Sequence, residues 1–406
     1  MRPDSPTVAI ATPYQEGSIL AIARAAARHG VLDEVLLALR PLGPGAKLPG
    51  RLRRLAAARP LEALPPDRLV GLTPVSELGR AASAHMFPGT WGGRAMYWQK
   101  HIFDRRASRR IRADVVVGMP GSSAETFRRT KQRAGRTVLN FVNSHPVYHN
   151  DYLRQLAGVS NRELIPSWVA ARVDEELELA DLVLVPSRFV ARQLESLAIG
   201  TKIVVEPYGV DLGKFRGPDD HSPSTDRVLC LYVGQISHRK GVRFLIEAAS
   251  LIRSPRLEVA LVGPMVSREV LGDIGENRNI SYRGNAGHDQ VAELMRAADV
   301  FVLPSVEDAY PLAVLEAMAS SLPVIVTSNV GSAELIDHGA NGFVVPPADP
   351  SSLAFYLKLL CDDESLRQRM GTAARQRVET QHSWDQYGER VVARLETDGA
   401  LDEHRP

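Results

Sequence analysis

Segment 304–316 brings together residues that could grip a ligand having both an anionic and a hydroxylated part. An apolar strand pattern ends at Pro304-Ser305, a tight loop with two acids follows, and a helix pattern then carries Glu316. Asp308 and Glu316 are separated by seven residues, one in the loop and one two turns away, so their carboxylates can address different parts of one ligand. The backbone amides from Tyr310 to Leu312 open the helix, where the aligned peptide dipoles suit an anion such as a diphosphate. Pro311 fits that position because its missing N–H costs little in a first turn. A carboxylate such as Glu316 is a good bidentate acceptor for two vicinal hydroxyls of a ribose.

The elements that would position these groups follow one rhythm along the chain. Short apolar runs read as strands at 8–11, 35–39, 114–118, 137–142, 182–186 and 203–206. A second series follows at 228–233, 257–262, 280–282, 300–303, 324–327 and 342–345, with helix-like spacing between the runs. Strands alternating with helices indicate βαβ units, and two series predict two doubly wound α/β domains. The polar, Pro- and Gly-rich stretch 213–224 reads as the linker, and 41–68 as a long surface loop of the first domain. The expected division is a first domain over 1–209, a second over 210–382 and a terminal helix over 383–406. In that helix Trp384, Tyr387, Val391 and Leu395 share roughly one face. Ligands of open α/β sheets bind beyond the carboxyl ends of the strands, so two facing domains predict an interdomain cleft. This organisation alone leaves a transferase, a dehydrogenase and a two-domain binding protein open.

The 406 residues are too many for one compact core, and 44% hydrophobic with 24% charged residues is ordinary for a folded soluble chain. The net charge of +2 points to no particular partner. Cys230 and Cys361 each lie in an apolar run and are expected as buried thiols of a reducing compartment. With no signal-peptide pattern and no apolar run of bilayer length, a cytoplasmic location is expected.

The stretch containing Asp308 and Glu316 resembles the acid–seven–acid motif of glycosyltransferase family 4, within the GT-B superfamily. Other segments extend the resemblance: Leu179 to Arg188, Glu206 to Asp211 followed by Phe215, Tyr232 to Gly241, and the region from Trp384 onward. The resemblance implies two facing Rossmann-like domains, a terminal helix returning to the first, and retaining transfer of a hexose from a UDP- or GDP-sugar. It puts Glu316 on the donor ribose, Asp308 on the hydroxyls of the transferred sugar, and Lys240 with Arg239 on the leaving diphosphate, where cations stabilise the growing charge. The base would lie near Arg283-Gly-Asn-Ala, which contains Asn285, and His145 would face the donor sugar, with Tyr148 and His149 as weaker candidates. His145, Asp308 and Lys240 thus form the expected catalytic set. The leaving phosphate can itself take the acceptor proton, so no dedicated protein base is required. No bound metal or other cofactor is expected, since no Asp-x-Asp or His/Cys ligand cluster is visible.

Three features differ from the family pattern. The loop Asp308-Ala309-Tyr310-Pro311 lacks the usual glycines, Gln235 stands where an arginine is usual, and the loop 12–17 lacks paired glycines. The expected partners are a nucleotide-sugar donor and a saccharide or lipid-linked acceptor, with no nucleic acid. The Arg-rich stretch 94–136 reads as a solvated face or as a cationic surface for anionic lipid. The rival readings are a non-catalytic sugar-nucleotide binder and a GT-B enzyme of other chemistry, such as an epimerase or an inverting transferase.

Overall fold

The computed structural model describes residues 6–14, 16–38, 64–73, 90–157, 163–217, 227–252, 254–272 and 279–401, with the backbone alone for 90–96 and 398–401. The linker residues 218–224 and most of the loop read at 41–68 lie outside the described residues.

The first domain runs β1 (Val8–Thr12), α1 (Gly17–Arg28), β2 (Leu32–Leu37), β3 (Leu69–Gly71), α2 (Thr90–Arg110), β4 (Val115–Gly118), α3 (Ala124–Lys131) and β5 (Arg136–Asn140). It continues with α4 (Pro146–Tyr152), α5 (Ser167–Leu179), β6 (Leu182–Val185), α6 (Arg188–Ser196) and β7 (Lys202–Val205). The second domain runs β8 (Val228–Val233), α7 (Val242–Leu251), β9 (Leu257–Val262), β10 (Ile280–Tyr282), α8 (His288–Ala297), β11 (Val300–Leu303) and α9 (Leu312–Ala319). Then follow β12 (Val324–Thr327), β13 (Gly342–Val345), α10 (Pro350–Asp362), α11 (Glu364–Glu379) and α12 (Trp384–Leu401).

The strands form a seven-stranded sheet, β3-β2-β1-β4-β5-β6-β7, and a six-stranded sheet, β10-β9-β8-β11-β12-β13. Every pairing is parallel. The expected α/β class with two doubly wound domains is therefore the observed one. Its physical basis is visible in β4, β6, β11 and β12, whose four residues each are all buried because helices cover both faces. Helix starts are pinned locally: Ser187, Asp349 and Asp363 accept from the N–H groups of Val190, Ser352 and Leu366.

Two details differ from the sequence expectation. β2 begins at Leu32, because Asp33 and Glu34 sit half-buried beside a register shift against β1 and interrupt the apolar pattern. β3 pairs with β2 over only three residues and has no pattern of its own to find. Cys230 and Cys361 are buried free thiols.

α12 crosses back to lie along α1 of the first domain. Val210 donates to the His382 carbonyl at 2.8 Å at the crossover, and Arg28 and His29 on and just after α1 pair with Glu389. The two helix backbones touch at Gly388, where a Cβ would lie 2.4 Å from the Ala21 carbonyl oxygen. Replacing Gly388 with Leu therefore forces the helices apart and is expected to cost about 1–3 kcal/mol. Denaturant unfolding of the Gly388→Leu variant checks this; unchanged stability would contradict the close approach.

Candidate functional site

The loops after β8 and β11 are built against each other. Gly241 holds a left-handed backbone (φ 66°) at the start of α7, and a Cβ there would lie 1.9 Å from the Pro304 carbonyl oxygen. Val306 donates to the Arg239 carbonyl at 2.8 Å, closing the two loops together. This contact brings the basic pair of one loop onto the acidic pair of the other. The Lys240 ammonium donates to Asp308, and the Arg239 guanidinium lies 3.9 Å from Asp308 and 3.7 Å from Glu307.

Glu307 is the hub. Its side chain is 1% exposed, yet Ser144 and His149 of the first domain both bond it, His149 Nδ1 at 2.9 Å. Burial alone would raise its pKa, but the His149 hydrogen bond, the Arg239 charge and the Ser144 hydroxyl together hold it down at about 2. Lys240 is pushed down by burial and by the charge of Arg239, with Asp308 opposing. For Arg239 the burial penalty is outweighed by Asp308 and Glu307, which raise its pKa.

An acid of the first domain reaches the loop after β8. The Glu163 carboxylate accepts from the N–H groups of His238 at 2.9 Å and Arg239 at 3.0 Å, and from the Ser267 hydroxyl at 2.7 Å. These three donors form an anion cradle on the second domain, and an internal carboxylate sits in it. His149 completes the link, its Nε2 3.1 Å from the Glu163 carbonyl oxygen.

Of the three first-domain candidates, the structure brings His149 to the acids, and neither His145 nor Tyr148. His145 is buried as the N-cap of α4, its Nδ1 accepting from the Val147 N–H at 3.4 Å and its Nε2 2.8 Å from Asp174. Both ring nitrogens are thus engaged, and burial lowers its pKa against the pull of Asp174. A donor-facing His145 does not fit this arrangement; its cap orients the helix that carries His149 one turn on. Tyr148 turns instead to Ser196.

The remaining sequence candidates lie around α9. Pro311 is its N-cap residue, and Leu312 begins it with no side-chain cap over its first amides. Tyr310 is buried edge-on to Tyr208, ring centroids 5.4 Å apart, which leaves its backbone and not its phenol for a ligand. Neither Ala309 nor Tyr310 has a positive φ, so the loop without glycines carries no left-handed strain. Glu316 is 2.9 Å from His288 Nε2, and that ring lies edge-on to Phe215. Asn285 is exposed on the loop after β10, and Gln235 is exposed beside Lys240's loop.

A cavity of about 220 Å³ lies between the domains. It runs among Tyr97, Lys100, Ser144, His149, Arg239 and Glu307, while Lys240, Asp308 and Glu316 do not line it. It is smaller than the ~300–1,000 Å³ of pockets that hold drug-sized ligands. Glu163 and Ser144 carry no sequence signal, because only the apposition of the domains gives them their partners. Glu307 was visible as the neighbour of Asp308, but nothing local distinguishes it from a solvated loop acid. Among the described residues no group of three His, Cys, Asp or Glu side chains could hold a metal ion, and no helix is long and apolar enough to cross a membrane.

Known proteins share this architecture. The chain superposes over 98% of its length on all of sucrose-phosphate synthase from Thermosynechococcus elongatus, with a TM-score of 0.73 at 18% identity. It superposes over 96% of its length on 99% of Anabaena HepE in complex with UDP, with a TM-score of 0.65 at 16% identity. The fold is GT-B. Residues 216–377, most of the second GT-B domain, match the family of glycosyl transferases group 1. A D-inositol 3-phosphate glycosyltransferase of Streptomyces avermitilis is 30% identical over 208 residues, which cover 46% of this chain and 44% of that protein. The chain spans about half the length of the curated relatives it matches.

Glu307→Gln removes the charge that faces His149 and Arg239 and is expected to destabilise the protein by about 3–5 kcal/mol at neutral pH, the cost of breaking a buried pair. Because the folded-state pKa is depressed, the wild-type contribution is complete above the ordinary value of 4.5 and fades as pH falls toward about 2. Melting temperatures between pH 7 and pH 2 check this: the variant's deficit should shrink with acid, and a constant deficit would remove the charge from the explanation.

Proposed function

We propose that this chain is a retaining glycosyltransferase of family 4 that moves a hexose from a UDP- or GDP-sugar to a saccharide or lipid-linked acceptor. The observation that carries this reading is the meeting of Arg239 and Lys240 with Asp308 at the head of the helix bearing Glu316. The match of 216–377 to group 1 glycosyl transferases supports it, as does the likeness in fold to a protein solved with UDP.

On this reading Glu316 accepts the ribose hydroxyls, Asn285's loop lies at the base, and the uncapped start of α9 with Lys240 and Arg239 receives the diphosphate. Those cations gain most as the glycosidic bond breaks and charge moves onto the leaving group, which is the differential binding that accelerates a reaction. Asp308 orients the transferred sugar once Lys240 has turned to the phosphate. The leaving phosphate takes the acceptor proton on the face where the acceptor attacks, which retains the anomeric configuration. No metal or other cofactor takes part, since two cations already face the departing charge.

The reading extends to a cytoplasmic protein that works beside a membrane. Trp98 is 65% exposed on the Arg-rich helix α2, and aromatic and basic side chains on one helix suit an anionic bilayer surface. Flotation with anionic but not neutral liposomes is the expected outcome, and no recruitment by either ends this part of the proposal.

A second reading, a binder without turnover, draws on the internal pairing of Lys240 with Asp308. Calorimetry with UDP and GDP, joined to product mass spectrometry over a panel of nucleotide sugars in EDTA, separates the two. Transfer that persists in EDTA is expected, with nucleotide affinity falling about 10–100-fold in Glu316→Ala and Lys240→Ala, as for lost hydrogen bonds to charged groups. Nucleotide binding without any turnover favours the binder. Binding of neither nucleotide, with both substitutions silent, defeats the donor site itself.

A further inference from the structure

The interdomain cavity is lined at one end by a cation that has no ion pair among the described residues. Lys100, on α2, is partly buried and lines the first-domain end, where its ammonium donates to the Pro120 carbonyl at 3.1 Å. The rings of Tyr14 and Tyr97 lie beside it, each centroid 5.6 Å from the nitrogen. Among the described residues Lys100 has no ion-pair partner, although buried cations are ordinarily paired.

The neighbouring acids are already committed elsewhere. Asp104 accepts from the amides of Glu125 and Thr126 at the start of α3 and pairs with Arg172 at 2.6 Å. Glu176 turns to the amides of Gly121 and Ser123. Burial pushes the Lys100 pKa down, with the charges of Glu176 and Glu16 opposing. At the opposite end Arg239 already faces Glu307, to which His149 also bonds. Among the described residues that line the cavity, Lys100 is therefore the cation without a paired acid.

Resting on the transferase reading, we infer that Lys100 recognises the acceptor and that the acceptor bears an oxyanion, a phosphate ester or a carboxylate, held at the first-domain end of the cavity. The transferred sugar then reaches the acceptor from the side of Arg239 and Glu307. A low-dielectric wall of aromatic rings makes the Lys100 charge discriminating, because a neutral acceptor would leave that cation without an anion. Tyr97 is held edge-on to Trp168, centroids 5.0 Å apart, and so offers a fixed ring surface beside the charge.

Calorimetry on the full chain, saturated with whichever of UDP and GDP binds, tests this with glucose, glucose 6-phosphate and glucuronate as probes. At least one anionic probe is expected to bind about 10-fold or more tightly than glucose. Lys100→Met is expected to erase that preference and Lys100→Arg to keep it. The two anions separate a phosphate site from a carboxylate site. Equal binding of all three probes, no binding of either anion, or a preference that survives Lys100→Met overturns the inference. The same probes can be titrated on nucleotide-free protein, so a failure of the donor site appears separately, as loss of UDP and GDP binding with the Lys100-dependent preference intact.

Discussion

A carboxylate buried where two domains meet has to be matched by charge from both sides, and Glu307 imposes that condition here. It rises from the second-domain loop after β11, yet its partners include Ser144 and His149 of the first domain as well as Arg239 of its own. An isolated ion at such a site would be neutralised by a shift in pKa. The depressed value of Glu307 shows that its partners outweigh the loss of water. Sliding one domain past the other would strand this charge, so the electrostatic condition sets how the loops of the two sheets face each other. The cavity beside Glu307 follows from that apposition.

The same condition explains why the second-domain loops are so tightly joined. Arg239 can serve Glu307 only if the turn after β8 is pressed against the end of β11, and Gly241 permits the approach by omitting a Cβ. The loop 308–311 shows the complementary case. It lacks glycines and needs none, because Ala309 and Tyr310 do not have positive φ, and Tyr310 is anchored by Tyr208. Close approach is thus permitted by glycines outside the loop, Gly241 against Pro304 and Gly331 against Ala309, and Tyr310 before the helix start is held by packing.

This division also marks how far the sequence can be read. The parallel sheets were legible because strands buried on both faces are written as continuous apolar runs, and β11 and β12 need no context to be recognised. Asp308 and Glu316 were legible because their spacing around a strand end and a helix start is local, whereas Arg239 and Lys240 were legible only through the family resemblance. The histidines were not. His145 and His149 lie one helical turn apart in the same loop and helix, and which one meets Glu307 depends on His145 spending its ring on the cap of α4. Glu163 lies further still from sequence logic, since its cradle belongs to the other domain. Residues whose role is created by docking two domains carry no local pattern to detect.

Docking also gives the donor site of the proposed function a particular energetic form. Two side chains assigned to the nucleotide sugar are satisfied internally, Lys240 by Asp308 and Glu316 by His288, and the amide cradle beside them is filled by Glu163. Such a site is not an empty arrangement of unpaired charges, which would be costly to maintain. A diphosphate entering it exchanges one anion for another, so the gain from each new contact is reduced by the contact it replaces. The exchange has a directional consequence because Glu163 belongs to the first domain while its cradle belongs to the second. An anion that took the cradle would release a tie between the domains, and donor binding would then be coupled to their relative position. The coupling follows from which domain supplies each partner, and it needs no element beyond those already holding the cleft together.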